Sequence, residues 1–210
     1  IIDKLVALLA VSALLASCSE SELWQNPQTE ARDGYIMLNF KTEIPAMQEV
    51  VTRAVDPDGG GVQDMTLFCF DSYGLFISTV KAGVTVQKPG PGEMEGTFKA
   101  EVPENTRTIH FLANQNMDEF KEDSFRNKSE SEVMAVLEGS SGRMIYWGRF
   151  ACDAGNDSNI AEQMATSGNS VKLIRNHARI SVDNPDNNGH IVITGFAVCN
   201  TNAFGTVAPH

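Results

Sequence analysis

Between Gly34 and Val198 the apolar residues come in short runs, each stopped by a cluster of Gly, Pro, Asn or Asp. That punctuation leaves room for strands and for little else. The first run, 35–42 (YIMLNFKT), alternates: Tyr35, Met37 and Asn39 point one way, Ile36, Leu38 and Phe40 the other. Three apolar side chains on one face at a period of two read as a strand packed on a core. Pro45 and the polar residues behind it end that strand, and Arg53-Ala54 leads into DPDGGG, a loop too rich in glycine to be stiff. A front strand is thus joined to the rest of the domain by a loop that carries an exposed arginine.

Residues 65–70 (MTLFCF) and 75–80 (LFISTV) flank the turn DSYG and read as a β-hairpin. KPGPG at 88–92 is a second breaker, 96–102 alternates around Phe98 and Val102, and 103–105 turns the chain into 108–113 (TIHFLA). Residues 114–139 change character. Met117, Phe120, Phe125, Val133, Met134 and Leu137 recur there at roughly helical spacing, which predicts one or two short helices. A strand is expected at 143–148, a linker or long loop at 152–169, a long strand at 171–182, and a partner at 190–198 behind the DNPDNNG turn. The whole reads as an all-β sandwich of Greek-key type with one or two short helices. No repeat of solenoid or propeller period is present.

A formal charge of -11 argues against nucleic acid as a partner. The front of the chain is for targeting. Behind Lys4, residues 5–16 (LVALLAVSALLA) have the length of a signal-peptide core and are too short to span a bilayer comfortably. The tetrad LASC that ends there resembles the lipobox of bacterial lipoproteins, in which the signal is cut before the Cys and the thiol takes a diacylglycerol. This places signal cleavage between Ser17 and Cys18, lipid on Cys18, and a polar tether with Pro27 over 18–33. SESE follows the cysteine with no adjacent Asp, a pattern similar to outer-membrane retention and surface export in Bacteroidetes. The chain starts at Ile1 without a Met and ends at His210 in apolar, turn-like sequence, so it reads as a fragment.

Little points to catalysis, and no cofactor is expected. His110 and His177 lie inside strand-like runs, His190 opens one, and His210 is terminal; none stands beside a nucleophile motif. Beyond Cys18, Cys69, Cys152 and Cys199 show neither a zinc spacing nor a disulfide framework, and Cys69 and Cys199 read as buried small hydrophobes. Asp56-Pro-Asp58 and the Asp183–Asp186 segment have the composition of solvated turns rather than calcium loops, so no metal site is expected. The sequons at Asn127 and Asn156 carry no weight in a bacterial lipoprotein. Arg175, His177 and Arg179 read as the outward face of a strand, and Trp147 as packing.

The order of features resembles a family: lipobox, tether, first strand, Thr52-Arg53-Ala54, glycine loop, MTLFCF, then IHFLAN at 109–114 and KLIRNHARI at 172–180. This set is similar to the fimbrillins of Bacteroidales, the subunits of type V pili. The resemblance implies two transthyretin-like β-sandwich domains, the first over 34–166 and the second starting near 171 and truncated at 210. It also implies that an arginine-specific protease cuts between Arg53 and Ala54 at the cell surface. Residues 18–53 then leave with the first strand, and a strand of another subunit enters the emptied groove. Ile36, Leu38 and Phe40 would form the core face of the exchanged strand. A protein of another class is compatible with the same sequence: a permanently lipid-anchored binder of glycan or host protein, or a pilus anchor, that keeps its first strand.

Overall fold

The computed structural model describes residues 31–44, 62–84, 95–118, 120–139, 144–176, 194–195, 197, 199 and 205–208. Two sheets face each other. One has four strands in the order β4-β5-β1-β8 and the other five in the order β3-β2-β6-β7-β9. Their ranges are β1 Tyr35–Glu43, β2 Met65–Phe70, β3 Phe76–Lys81, β4 Gly83–Val84, β5 Glu95–Pro103, β6 Thr108–Ala113, β7 Tyr146–Ala151, β8 Ser170–Lys172 and β9 Ile174–Arg175. Helices α1 (Glu130–Met134) and α2 (Ile160–Thr166) and a 3-10 turn at Glu122–Phe125 complete the described elements.

The main core fills the space between the sheets. It joins Leu38 and Phe40 of β1 to Leu67 of β2, Phe98 and Val102 of β5, and Ile109 and Phe111 of β6. A second cluster lies on the far side of the five-stranded sheet, where Val133, Met134 and Leu137 cover Phe68, Phe70, Phe76 and Leu112. With apolar cover on both faces, β2 and β6 are buried at every position. This explains why MTLFCF and TIHFLA run nearly continuously apolar where β1 alternates.

The hairpin turn between β2 and β3 is held by Asp71. Its Oδ1 accepts from the main-chain N–H groups of Tyr73 and Leu75, and Gly74 supplies the left-handed residue at φ +72°. Asn114 ends β6 at φ 62°, a conformation Asn tolerates better than most residues. Its side chain accepts from the N–H of Gln63 and donates to the carbonyl of Met144, which ties the starts of β2 and β7 together.

Four expectations change. The strand expected at 143–148 lies three residues later, at Tyr146–Ala151. The loop expected at 152–169 contains α2, opened by a reciprocal capping box between Asn159 and Glu162. Its buried side chains Ile160, Ala161 and Met164 join the main core. The long strand expected from 171 divides between the sheets: β8 pairs in parallel with β1, and β9 pairs antiparallel with β7. Residues 171–175, expected to open a second domain, therefore belong to this sandwich, while 177–193 lie outside the described residues. Leu173 at the crossing is fully buried. Finally, Cys199 is exposed rather than buried, and among the described cysteines Cys69 is the buried one. The segment 205–208 also returns to this body: the N–H of Val207 donates to Leu137, and that of Gly139 to Gly205.

Candidate functional site

β1 lies between β5 and β8. It pairs antiparallel with β5 along its whole length, from Tyr35 opposite Pro103 to Glu43 opposite Glu95. On the other side it meets β8 only over Lys41–Glu43. There the N–H of Lys41 donates to Asn169 (2.7 Å), and that of Leu173 donates to Glu43 (2.8 Å). The main-chain groups of Lys41 and Glu43 thus face β8, so those of the alternate residues Ile36, Leu38, Phe40 and Thr42 face β5.

The inward side of β1 carries Ile36, Leu38, Phe40 and Thr42, and Ile44 continues the row one residue past its end; all five are buried. Phe40 is its centre. Its ring stacks on Phe98 of β5 at 5.7 Å and meets Phe111 of β6 edge-on at 5.0 Å, so one side chain bridges both sheets. Take β1 away and what remains is a slot walled by β5 along its length and by β8 at its back end, and floored by Phe111.

Thr42 is the one polar residue in this inward row. It is fully buried, and its hydroxyl has no hydrogen-bond partner.

The front end of β1 is clamped. The main-chain N–H of Arg32 donates to Glu101 Oε1 (2.6 Å) and its Nε to Glu101 Oε2 (2.7 Å). The guanidinium lies 4.3 Å over the Tyr35 ring. The backbone turns here: Gly34 has φ +76°, and the N–H of Tyr35 returns to the carbonyl of Arg32. Glu101 is held below the usual carboxylate range, first by the Arg32 main-chain N–H; desolvation opposes this, and the Arg32 side chain and charge add to the lowering. Arg32 therefore sits in a folded turn with its carbonyl occupied. Proteases bind their substrates extended, so the bond after Arg32 is a poor one to cut.

The back end of β1 runs from Ile44 into residues 45–61, which lie outside the described residues together with Arg53 and Ala54. Ser17, Cys18, Asp56, Asp58, His177, Arg179, His190 and His210 lie outside them as well.

A polar group that the sequence does not reveal sits on the other sheet. His110 of β6 is buried, and its Nδ1 accepts from Trp147 Nε1 (2.9 Å), which leaves the proton on Nε2 to face Glu130 Oε1 (2.7 Å). Arg149 reaches the same carboxylate from β7 at 2.6 and 3.2 Å. Burial pushes the His110 pKa down more than Glu130 raises it. For Glu130, burial pushes upward, but the hydrogen bonds from Arg149 and His110 win and hold it low. Both imidazole nitrogens are committed to protein partners, so the group acts as a fastener between α1 and the sheet. Trp147, read as packing, is also its hydrogen-bond donor. A sequence signal for the pairing is absent, because His110 and Glu130 meet only through the fold.

Among the described residues no group of His, Cys, Asp or Glu could hold a metal ion, and no helix is long and apolar enough to cross a membrane. Compared with protein-family models, with curated proteins and with solved structures, the chain finds no match.

Proposed function

We propose that this chain is a structural or accessory subunit of a surface fimbria, exported as a lipoprotein on Cys18 and assembled by exchange of its first strand. On this reading the sandwich is of the transthyretin-like Greek-key type. The outer membrane holds the precursor through lipid, proteolysis after Arg53 frees residues 18–53, and a strand from another pilus subunit takes the place of β1. The role is non-enzymatic, and the assembled fibre serves adhesion.

The observation that carries the reading is the position of β1. It is an internal strand, supplied from the very start of the domain, whose inward row fills the core. A fully buried Leu or Phe contributes about 1.5–3 kcal/mol. Loss of Ile36, Leu38, Phe40 and Ile44 together is therefore comparable with the whole stability of a domain, about 5–15 kcal/mol. Unmade ladder bonds in the open slot add about 1–3 kcal/mol for each buried group left unpaired. A chain that sheds this strand must refill the slot or lose its fold. The precursor's own strand therefore prevents premature assembly, and cleavage is the trigger.

The clamp at Arg32 supports the same reading, because a cut there would remove the lipid tether and leave the strand in place. The test is N-terminal sequencing of the full-length product from the surface of cells with their native proteases. A terminus at Ala54 in polymeric material is expected. A lipid-bearing Cys18 as the sole terminus would refute strand release and leave a monomeric binder or an anchor.

A further inference from the structure

Four inward positions of β1, and Ile44 just past its end, face the core, and four of these five are apolar: Ile36, Leu38, Phe40 and Ile44. The fifth, Thr42, is as buried as Phe40, yet its hydroxyl meets no acceptor or donor. Its surroundings explain why. Thr42 lies opposite Gly96 of β5 and beside Val171 of β8, neither of which carries a polar side-chain atom. The neighbouring main-chain groups are spent on the two ladders. A buried hydroxyl without a partner is a net cost, whereas an apolar group of the same shape there is not.

The defect lies in the part of the strand that decides exchange. Thr42 falls within the three residues of β1 that touch β8, at the end nearest Arg53 in sequence. Main-chain ladder bonds are the same for any strand in the slot, so side chains alone distinguish one occupant from another. An occupant with Val in place of Thr42 makes every contact of β1 and leaves no hydroxyl unpaired.

We propose that Thr42 makes β1 a placeholder, and that the strand replacing it carries a β-branched aliphatic residue at this position. The partner is then defined by its chemistry. It is an extended segment of another subunit, running parallel to β8 and antiparallel to β5, apolar at all five inward positions. This rests on the strand-release reading above and adds the feature that favours the incoming strand over the resident one. The same feature makes exchange directional: the slot discriminates against the sequence that first occupied it.

The test uses the full chain nicked after Arg53 and two labelled peptides spanning residues 35–44, one native and one with Thr42→Val. The valine peptide is expected to enter the slot with an affinity about ten-fold higher than the native one. In parallel, Thr42→Val in the intact chain is expected to raise the midpoint of urea unfolding and to slow departure of the nicked strand. Equal entry of the two peptides would overturn the inference while leaving strand exchange standing. An unchanged unfolding midpoint would also overturn it, since the hydroxyl would then be satisfied in solution. If neither peptide enters, strand exchange itself fails, and the inference falls with it.

Discussion

Gly148→Ala tests the path by which the chain changes sheets. Gly148 lies in β7, directly behind the crossing from β8 to β9. A Cβ built there would stand 2.9 Å from Leu173 Cδ2, 2.9 Å from the carbonyl oxygen of Lys172 and 3.0 Å from Val171 Cγ1. Comfortable carbon contacts begin at about 3.5 Å, so something must move. Leu173 is fully buried and has little room to turn. Lys172 O is main chain and retreats only if β8 is drawn away from β1. Overpacking of this kind costs about 1–3 kcal/mol, and a clash with backbone puts the value toward the upper end. Alanine should otherwise be preferred to glycine inside a strand, by about 0.5–1 kcal/mol, so a net loss isolates the clash. Urea unfolding of the full chain should show a lowered midpoint at unchanged slope. Amide exchange should accelerate at Lys41 and Leu173, whose N–H groups bridge β1 and the crossing. A midpoint equal to wild type, or higher, would refute the passage of residues 171–173 behind Gly148 and the placement of β8 as a wall of the slot.

Acid should loosen the His110–Glu130–Arg149 fastener. The folded pKa of His110 lies below its ordinary 6.5, so the stability it contributes is present above 6.5 and is lost as pH falls below it. Glu130 also lies below its ordinary value, 4.5, and its contribution is lost as pH falls through a lower window, with the same sign. Urea midpoints should therefore decline from about pH 7 to about pH 4, and less steeply in His110→Gln; a rise over that range would contradict the assignment. Glu101→Gln should open the turn at Arg32, so that an arginine-specific protease cuts there several-fold faster in limited digestion. A digestion pattern identical to wild type would show that the clamp protects nothing. Thiol labelling of the native chain should proceed from Cys199, which is exposed, to Cys152, whose pKa burial raises, with Cys69 last. Burial pushes the Cys69 thiol up to about 12, with a further rise from Glu122 and a partial offset from Thr106, so it should react only on unfolding. Modification of Cys69 at the rate of Cys199 would mean that the core between the sheets is open.

Much of the sheet content is legible in the sequence because side-chain alternation and turn chemistry are local. The row Ile36, Leu38, Phe40 follows from period two alone, and Asp71 and Gly74 mark their turn by residue type. The apolar residues of 117–137 show their helical spacing although the helices are brief. α2 spans only two turns, too short for its apolar spacing to stand out from a loop, yet its capping pair, Asn159 and Glu162, is written in the sequence. Other features have no local signature. Whether residues 170–175 form one strand or two depends on a space behind Gly148, and that space exists only once β7 is in place. His110 meets Glu130 and Trp147 because β6, β7 and α1 converge there. Thr42 continues the inward row by position, but nothing local tells that its hydroxyl is orphaned. Hydrogen-bond satisfaction is a property of the neighbours that other strands, here β5 and β8, bring to a site, and only the tertiary structure decides who those neighbours are.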